Sequence, residues 1–322
     1  MKRNIKLVCM LAILICSQFS LPAADKKKTM VLATTFPIYQ ITRNIARDIP
    51  GVKVSLLLPP NMGCPHDYTL VPRDMRKLAE ADILVVNGLG MEEFLGAPVT
   101  KANSSIKIID SSAGIKNLLE YAPFEQEKGH ESAEHAEKEG KHHHHHTGIN
   151  PHLFASPAMS AQLGRNIAAA LAQYAPEFKK QFALNAEKYA ARMQKLADKF
   201  ASLGKKLKNN RIVTQHGAFD YLARDAGLKV VAVVQAHGGA EPSASTMLSI
   251  IRRIKKEKAG AVFTEPQYSA KVASTIAEEA GIPCSKLDPC ANGAVDAPLD
   301  YYDKVMLRNL ETLRKTLGIK GR

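Results

Sequence analysis

The stretch FALNAEKYAARMQKLADKFASLGKKL, residues 182–207, decides the architecture. Within it Phe182, Ala186, Tyr189, Met193, Leu196, Phe200, Leu203 and Leu207 follow one another at alternating spacings of four and three. That pattern draws one apolar stripe down one continuous helix. At 1.5 Å per residue the stretch extends roughly 39 Å, more than the width of a small domain. A helix of that length reaches two bodies at once. The spacing also suits a dimeric coiled coil, but the stripe lasts under four heptads and lies between two blocks of a different kind, which favours a backbone helix inside one monomeric chain. Asn209 and Asn210 offer a stop, and Pro176 stands near the start.

On either side of this helix, short β-branched runs alternate with helical stretches. The expected strands are 30–34, 52–58, 83–86 and 106–109 before it, and 211–214, 229–234, 261–264 and 284–287 after it. Strands separated by helices argue for α/β architecture, with parallel sheets flanked by helices rather than a sandwich. The expected division is an N-terminal α/β block over 29–175, the linking helix within 176–208 and a C-terminal α/β block over 209–318. A chain of 322 residues that is 45% apolar can fill the cores this requires. Its 44 Lys and Arg exceed 31 Asp and Glu, but the excess is dispersed and not interleaved with stacking aromatics. A solvated surface is the reading, and nucleic acid is excluded as a partner.

The first residues resemble an export signal over 1–24. Lys2, Arg3 and Lys6 precede an apolar run from Leu7 to Cys16, too short to span a bilayer, and Ala23 and Ala24 offer cleavage. A lipidated N-terminus at Cys16 is less favoured, because Ile15 is bulky where such a signal needs a small residue. No later segment has the ~18 consecutive apolar residues of a spanning helix. The expected location is therefore the periplasm.

Seven of the 11 histidines fall between His130 and His146. The surrounding stretch, 125–148, has almost no large apolar residue and is expected to be a mobile loop, since it cannot offset its ordering entropy by burial. His130, His135, His142, His143, His144, His145 and His146 would be weak metal-collecting sites on it. Outside it remain His66, His152, His216 and His237. His66 follows the second expected strand and His216 the first strand of the second set. Those strand ends are where open parallel sheets bind ligands. His152 stands where the histidine-rich stretch returns to ordered chain. Glu265 and Asp288 end two further strands. Three imidazoles and a carboxylate suit Zn²⁺. His237, beside Gly238 and Gly239, reads as a loop residue, and those glycines lack the spacing of a phosphate cradle.

Several motifs in order carry a family resemblance: Pro65-His66-Asp67-Tyr68 with Pro72-Arg73-Asp74, Asn150-Pro151-His152, Gln215-His216, Glu241-Pro242-Ser243, Thr264-Glu265-Pro266-Gln267 and Leu287-Asp288-Pro289. The chain resembles the metal-binding substrate-binding proteins of ABC transporters, of the periplasmic zinc-uptake type. The resemblance implies two α/β lobes joined by a long helix, with zinc held between them as cargo rather than as a catalytic cofactor. It further implies delivery to a membrane permease. It makes His66, His152 and His216 ligands, with Asp288 the fourth or a neighbour of bound water, and Glu265 a supporting group. An imidazole at His216 favours zinc over manganese.

Three cysteines follow the signal segment: Cys64, Cys284 and Cys290. A Cys284 to Cys290 bridge is the first expectation in an oxidising compartment. Cys64 is open to pairing with Cys290 across the cleft or to contact with the metal. Two other classes compete with a transport protein. A zinc hydrolase would use the same histidines with Glu265 as base, although no His-Glu-x-x-His motif accompanies them. A histidine-rich storage or adhesive protein would use the lobes as scaffold only.

Overall fold

The computed structural model describes residues 28–62, 65, 68–121, 148–235 and 241–320. The signal segment, Cys64, His66, the seven clustered histidines and His237 lie outside the described residues.

The first lobe is a parallel sheet of β1 (Thr29–Ala33), β2 (Val52–Leu56), β3 (Ile83–Val86) and β4 (Lys107–Asp110), in the order β2-β1-β3-β4. Helices α1 (Phe36–Ile45), α2 (Pro72–Glu80) and α3 (Gly96–Ala102) connect its strands. The chain continues through α4 (Pro157–Tyr174) into α5 (Lys179–Lys206), the long helix. The second lobe repeats the order with β5 (Arg211–Thr214), β6 (Lys229–Val233), β7 (Ala261–Thr264) and β8 (Cys284–Lys286), arranged β6-β5-β7-β8 and again all parallel. Its helices are α6 (Asp220–Ala226), α7 (Ala244–Glu257), α8 (Lys271–Ala280) and α9 (Tyr301–Leu317).

Local chemistry sets the ends of these elements. Ser156 caps α4 by accepting from the Met159 amide at 3.4 Å, with Pro157 in the first turn, and Ser243 caps α7 through the Thr246 amide at 3.2 Å. Gly227 and Gly281 close α6 and α8 in the left-handed conformation. Asp74 explains the Pro-Arg-Asp motif: it accepts from the Val71 amide at 3.1 Å to start α2, and from the Tyr68 hydroxyl at 2.7 Å.

The apolar stripe on α5 is buried within the chain, which answers the coiled-coil alternative. Phe182, Met193 and Phe200 sit in one continuous core together with Val31 and Ile38 from the first lobe and Phe263 and Leu287 from the second. The helix packs on α1 and α4, which precede it in the chain, and on α6 and α9, which follow it. Truncating a side chain such as Phe200 to Ala in such a setting costs about 3–5 kcal/mol.

The helix is not the sole bridge. After β8 the chain crosses back onto the first lobe. There the Gly293 amide donates to Pro60 O at 3.1 Å, and the Tyr39 hydroxyl, Arg43 and Asn44 donate to the carbonyls of Val295, Ala297 and Leu299 at 3.1, 2.6 and 3.1 Å. The strap and α5 both join the lobes.

The expected Cys284 to Cys290 bridge is corrected, since both are free thiols. Cys284 is exposed on β8, whereas Cys290 is fully buried with φ +63°. One thiol thus faces solvent and the other the core.

Candidate metal centre

The two sheets direct the carboxyl ends of their strands at a common cleft. In each, the strand order reverses beside its first strand, at β1/β3 and at β5/β7, and ligands of open α/β sheets bind at such points. Phe36, Leu58, Met62, Pro65 and Met91 line the cleft from the first lobe, Gln267, Tyr268 and Pro289 from the second, and His152 and His216 stand in its wall.

His216 stands two residues past the end of β5, and His152 begins the 3-10 turn that leads into α4. Although 64 positions apart, their Nε2 atoms face each other at 3.4 Å, with the rings edge to face. Both side chains are buried.

The other ring nitrogens are each engaged by an oxygen. His216 Nδ1 contacts Glu265 Oε1, a fully buried carboxylate whose Oε2 accepts from Gln267 Nε2 at 2.7 Å. Gln215 fixes this glutamate by accepting from its backbone amide at 2.9 Å. His152 Nδ1 lies 2.8 Å from Asn150 Oδ1. The orientation of that amide follows from its partners: Asn150 Nδ2 donates to Gly217 O at 2.7 Å and Asp220 Oδ2 at 2.9 Å, so Oδ1 faces the ring. Both Nδ1 atoms therefore carry the proton, and both Nε2 lone pairs are directed at one region. Two nitrogens bound to one tetrahedral zinc at 2.0–2.1 Å stand roughly 3.3–3.4 Å apart. The donor set fits such an ion.

Asp220 is the charged end of the His152 chain. Burial pushes its carboxyl up to about 6, against the opposing influence of Asn150 and His216. Asn150, Gln215 and Asp220 were not singled out as site residues in the sequence, although two of them lie in the quoted motifs. Only proximity to the candidate histidines could have marked them, because their roles depend on partners up to 70 positions away.

Asp288 stands at the end of β8, held by Asn309, which accepts from its amide at 3.0 Å and donates to its carbonyl at 2.7 Å. Its carboxylate accepts from the Cys290 amide at 2.8 Å, and burial raises its pKa. Among the described residues, no three His, Cys, Asp or Glu side chains converge as a metal-holding group, so Asp288 is not joined there with the two histidines.

A two-lobed α/β protein with a buried imidazole pair in the wall of its interlobe cleft belongs to the class of cleft-type binding proteins. The chain is a member of the family described as zinc-uptake complex component A, periplasmic (ZnuA), which matches residues 31–316. It is similar to the zinc-binding protein AdcA of Streptococcus pyogenes serotype M3, with 31% identity over 300 residues, 92% of this chain and 57% of AdcA. It is also similar to the high-affinity zinc uptake system protein ZnuA of Bacillus subtilis strain 168, with 30% identity over 320 residues, 97% of this chain and 96% of that protein. The chain thus spans little more than half of AdcA and nearly all of the Bacillus protein. Among solved structures, the SBP FpvC from Pseudomonas aeruginosa in complex with Mn²⁺ superposes with a TM-score of 0.73 at 26% identity, covering 90% of this chain and 98% of that one.

Proposed function

We propose that this protein captures Zn²⁺ outside the cytoplasm in the cleft between its lobes and hands it to the membrane permease of an ABC transporter. Zinc is cargo. His152 and His216 supply two imidazoles and His66 the third, with Asp288 as fourth ligand or as the partner of a bound water. The single observation that carries the reading is the pair of Nε2 atoms 3.4 Å apart, each on a ring whose Nδ1 is held by an oxygen. The position of Pro65 in the cleft lining supports His66, its chain neighbour, as the third donor. An imidazole-rich set favours zinc over manganese. Glu265 makes a poor hydrolytic base, since one oxygen meets His216 and the other Gln267.

The zinc-related names of its relatives agree with this assignment. The signal-like start supports export, and we assign the mature protein to the periplasm rather than to a lipid anchor. Among the described residues no helix is long and apolar enough to cross a membrane. The clustered histidines are assigned as weak collecting sites.

Calorimetric titration with zinc tests the reading. One tight site is expected, lost in His66→Ala, His152→Ala and His216→Ala by on the order of 1000-fold, beyond the 10–100-fold that loss of an orienting partner costs. Survival of tight binding in all three variants would sink it. Because the imidazoles bind only when neutral, acidification should release zinc as protons compete for the ring nitrogens.

A further inference from the structure

The first lobe carries a buried carboxylate with no reach of its own into the cleft. After β3 the chain turns through Gly88, Leu89 and Gly90 with φ values of +86°, +56° and +78°. For Leu89 this left-handed conformation costs about 1 kcal/mol. The turn is also crowded: a Cβ on Gly88 would lie 2.1 Å from Asp110 Oδ1. Glu92 holds it in place. Its Oε1 accepts from the Thr34 hydroxyl at 2.6 Å and the Asn87 amide at 2.7 Å, and its Oε2 accepts from the Gly88 amide at 3.1 Å.

Asn87, fully buried, passes this placement on. Its Nδ2 donates to Pro151 O at 2.9 Å, one peptide unit from His152. The chain at His152 is consequently gripped from both sides. Asn150 ties it to Gly217 and Asp220 of the second lobe, and Asn87 ties it to the first.

We infer that Glu92 is a positioning residue for the metal site, acting through the Asn87 amide on the Pro151 carbonyl to set where His152 Nε2 points. This inference rests on the assignment of His152 as a ligand. Glu92 touches neither the ring nor the cleft, so its influence runs through the turn. A carboxylate needed for folding alone would satisfy the same three donors, and metal geometry separates the two roles.

The test uses the full chain with zinc, by competition against a chromophoric chelator, and with Co²⁺, whose visible absorption reports ligand geometry. Glu92→Gln and Asn87→Asp are close to isosteric, and a denaturant melt confirms that each is folded. Each should weaken zinc binding by 10-fold or more and shift the cobalt bands. The double variant should be no weaker than the worse single one, because both act along one path. His152→Ala serves as the reference. Zinc affinity within twofold of the parent and unchanged cobalt bands in both single variants, with binding abolished in His152→Ala, would overturn this inference while leaving the metal site standing. Additive losses in the double variant would overturn the path through Asn87. Undiminished binding by His152→Ala would overturn the site and this inference together.

Discussion

Each lobe has the same strand order and places one buried glutamate just beyond its third strand, yet the two carboxylates serve different partners. In the second lobe Glu265 follows β7 directly and meets a side chain, His216 Nδ1. In the first, Glu92 lies six residues past β3 and receives two backbone amides and a hydroxyl. One topology thus provides a carboxylate that orients an imidazole and another that holds a strained turn. What differs is the length of loop between strand end and glutamate, which decides whether the carboxylate meets a neighbouring strand's side chain or folds back on its own backbone.

The comparison breaks most visibly in pH-dependent stability. Burial pushes the Glu92 carboxyl from 4.5 up to about 7, with its hydrogen bonds from Thr34, Asn87 and Gly88 opposing the rise. The folded state therefore holds this proton more tightly than the unfolded chain. Its contribution to stability is complete below about pH 4.5 and is lost as pH rises to about 7. The change amounts to roughly 3 kcal/mol as an upper bound. Denaturant melts at pH 5 and pH 8 should show the parent losing stability relative to Glu92→Gln over this interval; parallel profiles would contradict it.

The attachment of each lobe to α5 differs too. A Cβ on Gly204 would lie 1.7 Å from the Ala226 carbonyl oxygen, in the second lobe's backbone. On Gly164 it would meet the Tyr189 ring at 2.9 Å. Gly204→Ala should cost about 2 kcal/mol or more and Gly164→Ala less, because a ring can turn and a helix end cannot. Thermal melts of both variants check the order.

Glu265→Gln probes the orienting carboxylate of the second lobe. An amide can still accept from His216, but its new NH₂ then faces the Gln267 donor. Zinc affinity should fall about 10-fold, the lower end for an orienting partner, as read by chelator competition. The smallest effect is expected at Arg192 on α5, which pairs with Asp303 at 3.1 Å and reaches Asn44 of the first lobe at the same distance. Both partners of the ion pair are partly exposed, so Arg192→Met should cost no more than about 1 kcal/mol in a denaturant melt.

Much of this architecture was legible from local pattern. The run Ile83–Val86 is continuously apolar, and Ala261–Thr264 is apolar up to its closing threonine, because a parallel strand covered on both faces has no solvent side. The stripe from Phe182 to Leu207 announced its helix. The strap after β8 was not legible, since it is held largely by backbone carbonyls of residues 295–299, and every residue has one. Glu92 was missed for a related reason: nothing in Met91-Glu92-Glu93 distinguishes a buried carboxylate from its neighbour. The cysteine spacing misled because a separation of six says nothing about which way each thiol faces.

Sequence by itself determined the alternation of strands and helices, the long connecting helix and which imidazoles were candidates, because periodicity and strand-end position are local properties. Tertiary structure decided which ring nitrogen each buried histidine presents to the cleft. That choice depends on an acceptor held within hydrogen-bonding distance of Nδ1. For His216 the acceptor comes from a residue 49 positions away. For His152 it is an amide turned by contacts 67 and 70 positions distant, and only packing fixes such separations.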